Sequence, residues 1–277
     1  MMGKVNAGGF VRIWTISNQK GGVGKTTTVV ALGGLLAQQN YRVLLLDLDP
    51  HASLTCYFKY DPDHLEHSLF DLFSHQGKVP DYLPGQLVVE TGFRNLMLLP
   101  ATTSLAVLDR QITNQGGYGL VISRALIHLW DQFDYALLDT PPQLGVLMVN
   151  ALAASQRLLL PVQTEFLALK GLERMLHTMS MVCQSQKKAL PFLVIPTLFD
   201  RRTQASVQSL LALRKQHMDH IWQSYIPVDT RLRDASQAGV PPSIFDKNSR
   251  SVKSYSHLLK DLLAMQQQTT PLRTQAK

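Results

Sequence analysis

The chain has 277 residues, 45% of them hydrophobic and 17% charged, which excludes collagen, coiled coil and a disordered polymer. Two cysteines, Cys56 and Cys183, build neither a disulfide framework nor a four-thiolate metal site, so a reducing, cytoplasmic compartment is expected. Lys and Arg number 27 against 20 Asp and Glu, and the resulting net charge of +7 points to a polyanionic partner.

In chain order, strands are predicted over 12–17, 42–47, 95–99, 135–139, 157–162, 192–196 and 221–226. Val43-Leu44-Leu45-Leu46 and Leu158-Leu159-Leu160 are apolar throughout rather than alternating, as expected of parallel strands buried on both faces. Helical patterns fall between them, over 26–39, 119–131, 167–185, 203–217 and 251–266. Residues 61–86, rich in proline and histidine, read as an irregular insertion with a short helix at 68–73. The alternation predicts an α/β fold: one doubly wound, mostly parallel sheet with helices on both faces, in a single domain with flexible ends at 1–11 and 267–277. Right-handed crossovers then place the loops after the strand C-termini along one edge, where ligands bind. The uncharged run 140–156 is broken by Pro141, Pro142, Gln143 and Asn150 and is no membrane span. The N-terminus lacks the basic and apolar pattern of a signal peptide.

Chemistry concentrates in Lys20-Gly21-Gly22-Val23-Gly24-Lys25-Thr26-Thr27, directly after a strand and opening a helix. Glycines let successive backbone N–H groups turn inward on phosphate oxygens, and the helix N-terminus adds partial positive charge. Lys25 can reach the β- and γ-phosphates, and the Thr26 hydroxyl can ligate Mg²⁺. The first glycine of the common pattern is replaced by Gln19, and an extra lysine, Lys20, opens the loop. Asp47 and Asp49 leave the next predicted strand on the same side and can share a hydrated cation. Tyr135-Ala136-Leu137-Leu138-Asp139 ends an apolar strand in an acid suited to contact Mg²⁺ through water.

These motifs resemble the ParA/MinD family of deviant Walker A P-loop ATPases. In that family the residue matching Lys20 reaches across a nucleotide-sandwich homodimer to the partner's phosphates. Leu45-Leu46-Asp47-Leu48-Asp49-Pro50-His51 resembles the family's Asp-x-Asp-Pro-Gln motif, with His51 in place of glutamine. The resemblance implies that Asp49 positions the attacking water and Asp47 supports the Mg²⁺ shell. Thr140-Pro141-Pro142 resembles the switch that senses the γ-phosphate. Ile226-Pro227-Val228-Asp229-Thr230-Arg231-Leu232 resembles the loop bordering the adenine, with Asp229 where asparagine is usual, which places Pro227 and Asp229 at the base. The implied cofactors are ATP and Mg²⁺, and the implied reaction is slow, dimer-coupled ATP hydrolysis.

One branch of the family moves cargo over the nucleoid and another cycles on membranes. Arg202 and Arg231 fall where short, chromosomal ParA-type proteins carry DNA-contacting arginines, and with the net charge they favour non-specific DNA as partner. Only a short segment precedes the first strand, so no fused helix-turn-helix domain is expected. The apolar side of 251–266 reads as a helix packing on the domain rather than as the membrane-inserting helix of a MinD-like division-site regulator. The resemblance thus implies a switch that positions or segregates a chromosome, plasmid or chemotaxis array through an adaptor protein, ParB-like or array-linked. Residues 167–175 resemble a chemotaxis-array subgroup. A metabolic ATP-dependent ligase on the same fold is the alternative from another class.

Overall fold

The computed structural model describes residues 11–112 and 117–269. Of the expected flexible ends, Val11 is described and buried and the last helix runs on through 267–269; the rest lies outside the described residues. The strands are β1 (Arg12–Ile16), β2 (Val43–Asp47), β3 (Val89–Phe93), β4 (Leu96–Leu99), β5 (Tyr135–Asp139), β6 (Arg157–Gln163) and β7 (Phe192–Thr197). They form one sheet in the order β3-β4-β2-β5-β1-β6-β7, parallel throughout except for the antiparallel pair β3–β4.

Every residue of β2 and β5 is buried, because both faces of the sheet are covered. Val43 and Leu45 pack with α1 (Lys25–Gln38) and α11 (Arg250–Thr269), whereas Leu44 and Leu46 pack on the other face with α4 (Leu105–Ile112), α5 (Val121–Ile127) and α6 (Val146–Ala154). Side chains alternate between faces with a period of two, so two covered faces require a continuous apolar run. A third cluster seats α7 (Ala168–Gln186) against β6 through Leu172, Met175, Leu158 and Leu160. The helix α1 lies close to the sheet: a Cβ at Gly33 would stand 2.7 Å from Leu45 Cδ2.

The strand expected over 221–226 does not form. Ile221 and Pro227 make only isolated bridges to Val194 and Phe199, and Trp222 is buried under α11, where its Nε1 donates to Asp261 Oδ2 at 2.9 Å. The insertion contains the expected short turn of 3-10 helix, Leu69–Phe73, capped by Ser68, as well as α3 (Leu83–Gln86). The edge strand β3 and helices α4, α6 and α9 (Arg231–Ala238) lie outside the sequence expectation. The helix α6 is buried between the sheet, α5 and α7 and is apolar nearly all round, so it carries no helical period to read. The remaining helices are α2 (Ser53–Tyr57), α8 (Gln204–Gln216) and α10 (Pro242–Phe245).

The register fixes the business end of the sheet. Asp139 aligns with Ile16 of β1 on one side and Asp47 of β2 on the other, so both acids and the loop after β1 meet at one edge.

Candidate active site

The loop after β1 is tied down before it curls. Asn18 Nδ2 donates to the Pro161 carbonyl at 2.8 Å, and its Oδ1 accepts from Lys20 N–H at 3.0 Å. Gln19, where the common pattern has glycine, points away from the loop and donates from Nε2 to Thr178 Oγ1 of α7 at 2.8 Å. Gly22 and Gly24 then take left-handed backbone angles, φ +73° and +91°, which only glycine adopts without strain. A Cβ at either would meet nothing within 4 Å, so the loop is an open concave cradle. No side chain caps the N-terminus of α1, so its first N–H groups are left to the cradle.

A cavity of about 820 Å³ opens over this cradle, lined by Gly21, Gly22, Val23, Gly24, Lys25, Thr26 and Thr27. Lys25 is buried, with its ammonium 3.4 Å from the Lys20 carbonyl. Thr26 Oγ1 donates to Asp139 Oδ2 at 2.5 Å. The other oxygen of Asp139, Oδ1, is buried and has no hydrogen-bond partner. A buried acceptor left short beside a threonine hydroxyl is a costly arrangement for the protein alone. It suits a hydrated divalent cation, which would satisfy Oδ1 and draw on the Thr26 hydroxyl. Burial, with the neighbouring Asp47 charge, raises the Asp139 carboxyl well above the ordinary range, as burial does for Asp47.

Asp47 sits deeper than the sequence suggested. Its Oδ2 accepts from Thr55 N–H and Thr55 Oγ1, both at 2.8 Å, and its Oδ1 from Asp49 N–H at 3.1 Å. It does not line the cavity, so its part is to shape the turn that carries Asp49 and to add charge behind Asp139. Asp49 does line the cavity, and its Oδ1 accepts from the backbone N–H of His51 at 3.0 Å with the ring Nδ1 at 2.9 Å.

The far wall of the cavity comes from Leu198, Ile226, Val228, Asp229, Leu232 and Tyr255. Pro227, expected at the base, does not line it; the residue pairs with Phe199 instead. Asp229 lines it but has its carboxylate engaged elsewhere: Oδ2 accepts from Ser251 N–H at 3.0 Å and Ser251 Oγ at 2.9 Å, and Oδ1 from Arg231 N–H at 3.0 Å. Tyr255, on the last helix, and Thr55 were not singled out from sequence. Tyr255 OH meets Thr28 Oγ1, far along the chain, at 3.0 Å, and Thr55 reaches back eight residues to Asp47; no local motif signals either pairing.

Lys20 is not among the residues lining its own phosphate cavity. Its ammonium pairs with Glu165 and stands 3.2 Å from Gln163 Oε1, beside a groove lined by Pro142, Leu144, Leu167, Arg174 and His177. Arg202 and Arg231 are exposed and ion-paired. Arg202 grips Asp200 through Nε and Nη2, the latter at 2.7 Å, and holds that carboxyl down at about 2. Arg231 lies 3.7 Å from Asp234 and 3.5 Å from Asp246.

A family model described as an AAA domain matches residues 11–192. The sporulation initiation inhibitor protein Soj of Bacillus subtilis is 35% identical over 254 residues, covering 91% of this chain and 98% of that protein. The chain belongs to the ParA/MinD family of P-loop ATPases. The chromosome partitioning protein ParA of Myxococcus xanthus is 32% identical over 95% of this chain and 91% of its own length. Among solved structures, a cobyrinic acid a,c-diamide synthase from Mycobacterium smegmatis with a bound ATP analogue and magnesium superposes with a TM-score of 0.79. It is 33% identical and covers 93% of this chain and 96% of that one.

Proposed function

We propose that this ParA/MinD-family chain is an ATP-driven switch that positions or segregates a cellular cargo. On this reading it binds ATP with Mg²⁺ over the phosphate loop, dimerises, binds DNA without sequence preference, and hydrolyses ATP slowly to ADP and phosphate. The observation that carries the reading is the split between its two loop lysines: Lys25 is buried in the cavity and Lys20 is turned out of it. A lysine turned away from its own site suits one that completes another subunit's.

In this mechanism the N–H groups of residues 21–25 and Lys25 hold the phosphates, and Thr26 and Asp139 hold the cation's shell. When bound there, a divalent cation would neutralise phosphate charge. Asp49 orients a water for attack, and Lys20 of the opposite protomer answers the charge that develops. Leu144 and Leu167 are exposed in the groove with Lys20, which suits a surface covered by a second copy.

The names of the relatives support partitioning, and a ParB-like or array-linked adaptor would link the switch to its cargo. Among the described residues no helix is long and apolar enough to cross a membrane. The apolar side of α11 is buried through Val252, Tyr255, Leu258, Leu259 and Leu262, which weighs against a MinD-like membrane helix there. The proposed location is nucleoid-associated or polar in the cytoplasm.

Size-exclusion chromatography with ADP and with ATP tests the switch. The parent chain should dimerise only with ATP; Lys20→Ala should bind nucleotide yet stay monomeric, while Lys25→Ala should fail at binding. A Lys20→Ala variant that dimerises and hydrolyses normally would refute the trans-acting role. Turnover that instead requires a small carboxylic acid and ammonia would establish the ligase reading.

A further inference from the structure

We propose that His51 is a positioning residue for hydrolysis, acting through Asp49. This rests on the reading of Asp49 as the group that orients the attacking water. Two donors of His51 converge on one oxygen: the backbone N–H at 3.0 Å and the ring Nδ1 at 2.9 Å from Asp49 Oδ1. An ionised carboxylate only accepts, so in this pairing Nδ1 carries the hydrogen. From beneath, Asp47 Oδ1 accepts the Asp49 N–H at 3.1 Å. The backbone of Asp49 is therefore fixed from the core, and its carboxylate is held against rotation from the cavity side. Because both His51 donors fall on Oδ1, Oδ2 keeps its acceptor capacity for a water.

The two side chains differ in setting. That of Asp49 is 12% exposed and that of His51 70% exposed, yet both line the nucleotide cavity. An imidazole so exposed adds little to the core, and its visible contact is the carboxylate. Angular precision at the residue that aims a nucleophile is where such a contact acts, because small misplacements of a reacting atom cost large factors in rate. Asparagine tests the geometry: its Nδ2 sits where the histidine Nδ1 sits relative to Cβ, so it can restore the bond without an imidazole.

The experiment is steady-state hydrolysis of ATP by the full chain with Mg²⁺, comparing His51→Ala, His51→Asn and Asp49→Ala with the parent. His51→Ala should lower kcat by about tenfold with KM and the urea midpoint unchanged, and His51→Asn should return to within about threefold of the parent. The proposal is overturned by a parental kcat in His51→Ala. It is equally overturned by a His51→Asn variant as slow as His51→Ala, or by a change confined to KM. Asp49→Ala separates the two levels. If Asp49→Ala is inactive while His51→Ala is parental, only the role of His51 fails; if Asp49→Ala turns over normally, the reading of Asp49 fails with it.

Discussion

Thr55 shows how one hydroxyl can decide the shape of a reaction centre. Its Oγ1 donates to Asp47 Oδ2 at 2.8 Å and accepts from Ala101 N–H at 2.9 Å, and both Thr55 and Asp47 are fully buried. Valine would fill the same volume and keep the backbone N–H bond to Asp47 Oδ2, but it would leave the Ala101 N–H without a partner and Asp47 with one donor fewer. Since a buried group left unpaired costs roughly 1–3 kcal/mol, Thr55→Val should destabilise the chain by about 1–3 kcal/mol, with Thr55→Ser near the parent. Urea denaturation measures this, and an unchanged midpoint for Thr55→Val would show that the Ala101 N–H finds another partner. The pairing explains why this part of the site was illegible in sequence. Asp47 and Asp49 announce themselves by spacing, but the threonine that holds one of them has no signature.

At the scale of elements, the phosphate loop was readable because everything it needs is consecutive: the end of a strand, glycines, lysine, threonine and a helix start. The wall opposite was not, because it is assembled from residues far apart. Asp229 illustrates the difference. Read as a base contact, it is found capping two helix starts at once, accepting from Arg231 N–H at the first turn of α9 and from Ser251 at the first turn of α11. A carboxylate at a helix N-terminus satisfies free N–H groups and complements the dipole. Truncation removes both caps, so Asp229→Ala should cost about 2–3 kcal/mol, and Asp229→Asn, which keeps an acceptor, about 1 kcal/mol. The loss should also weaken nucleotide binding, because Tyr255 on α11 lines the cavity. Thermal melting with and without ATP reads both effects; an Asp229→Ala variant as stable as the parent would mean the two helices hold their starts by packing alone. The strand expected over 221–226 failed for a related reason. The segment does run beside β7, bridging it at Ile221 and bridging Phe199, just past its end, at Pro227, while Trp222 and Ile226 turn into the cluster that holds α11, and an apolar run does not say whether pairing is continuous.

For the whole molecule, the proposed partner raises the question of how a chain with a net charge of +7 would bind DNA only when it should. Within one protomer the two arginines expected at DNA are each matched by acids: Arg202 by Asp200, and Arg231 by Asp234 and Asp246. A surface of paired charges attracts phosphate weakly, because each contact must compete with a carboxylate already in place. If ATP joins two protomers with these surfaces on one side, the number of phosphate contacts doubles while the cost of docking is met once. Affinity should then depend steeply on both nucleotide and salt, log K falling by about 0.9 for each phosphate neutralised per decade of salt. Arg202→Glu or Arg231→Glu should abolish binding to arbitrary duplexes at physiological salt and leave ATP-dependent dimerisation intact, since neither residue lines the phosphate loop. Gel shifts with a non-hydrolysable ATP analogue, run beside sedimentation with anionic vesicles, measure this directly. Equal DNA binding with ADP and with the analogue would remove dimerisation as the gate, and vesicle binding without DNA binding would move the protein to the membrane-cycling branch of its family.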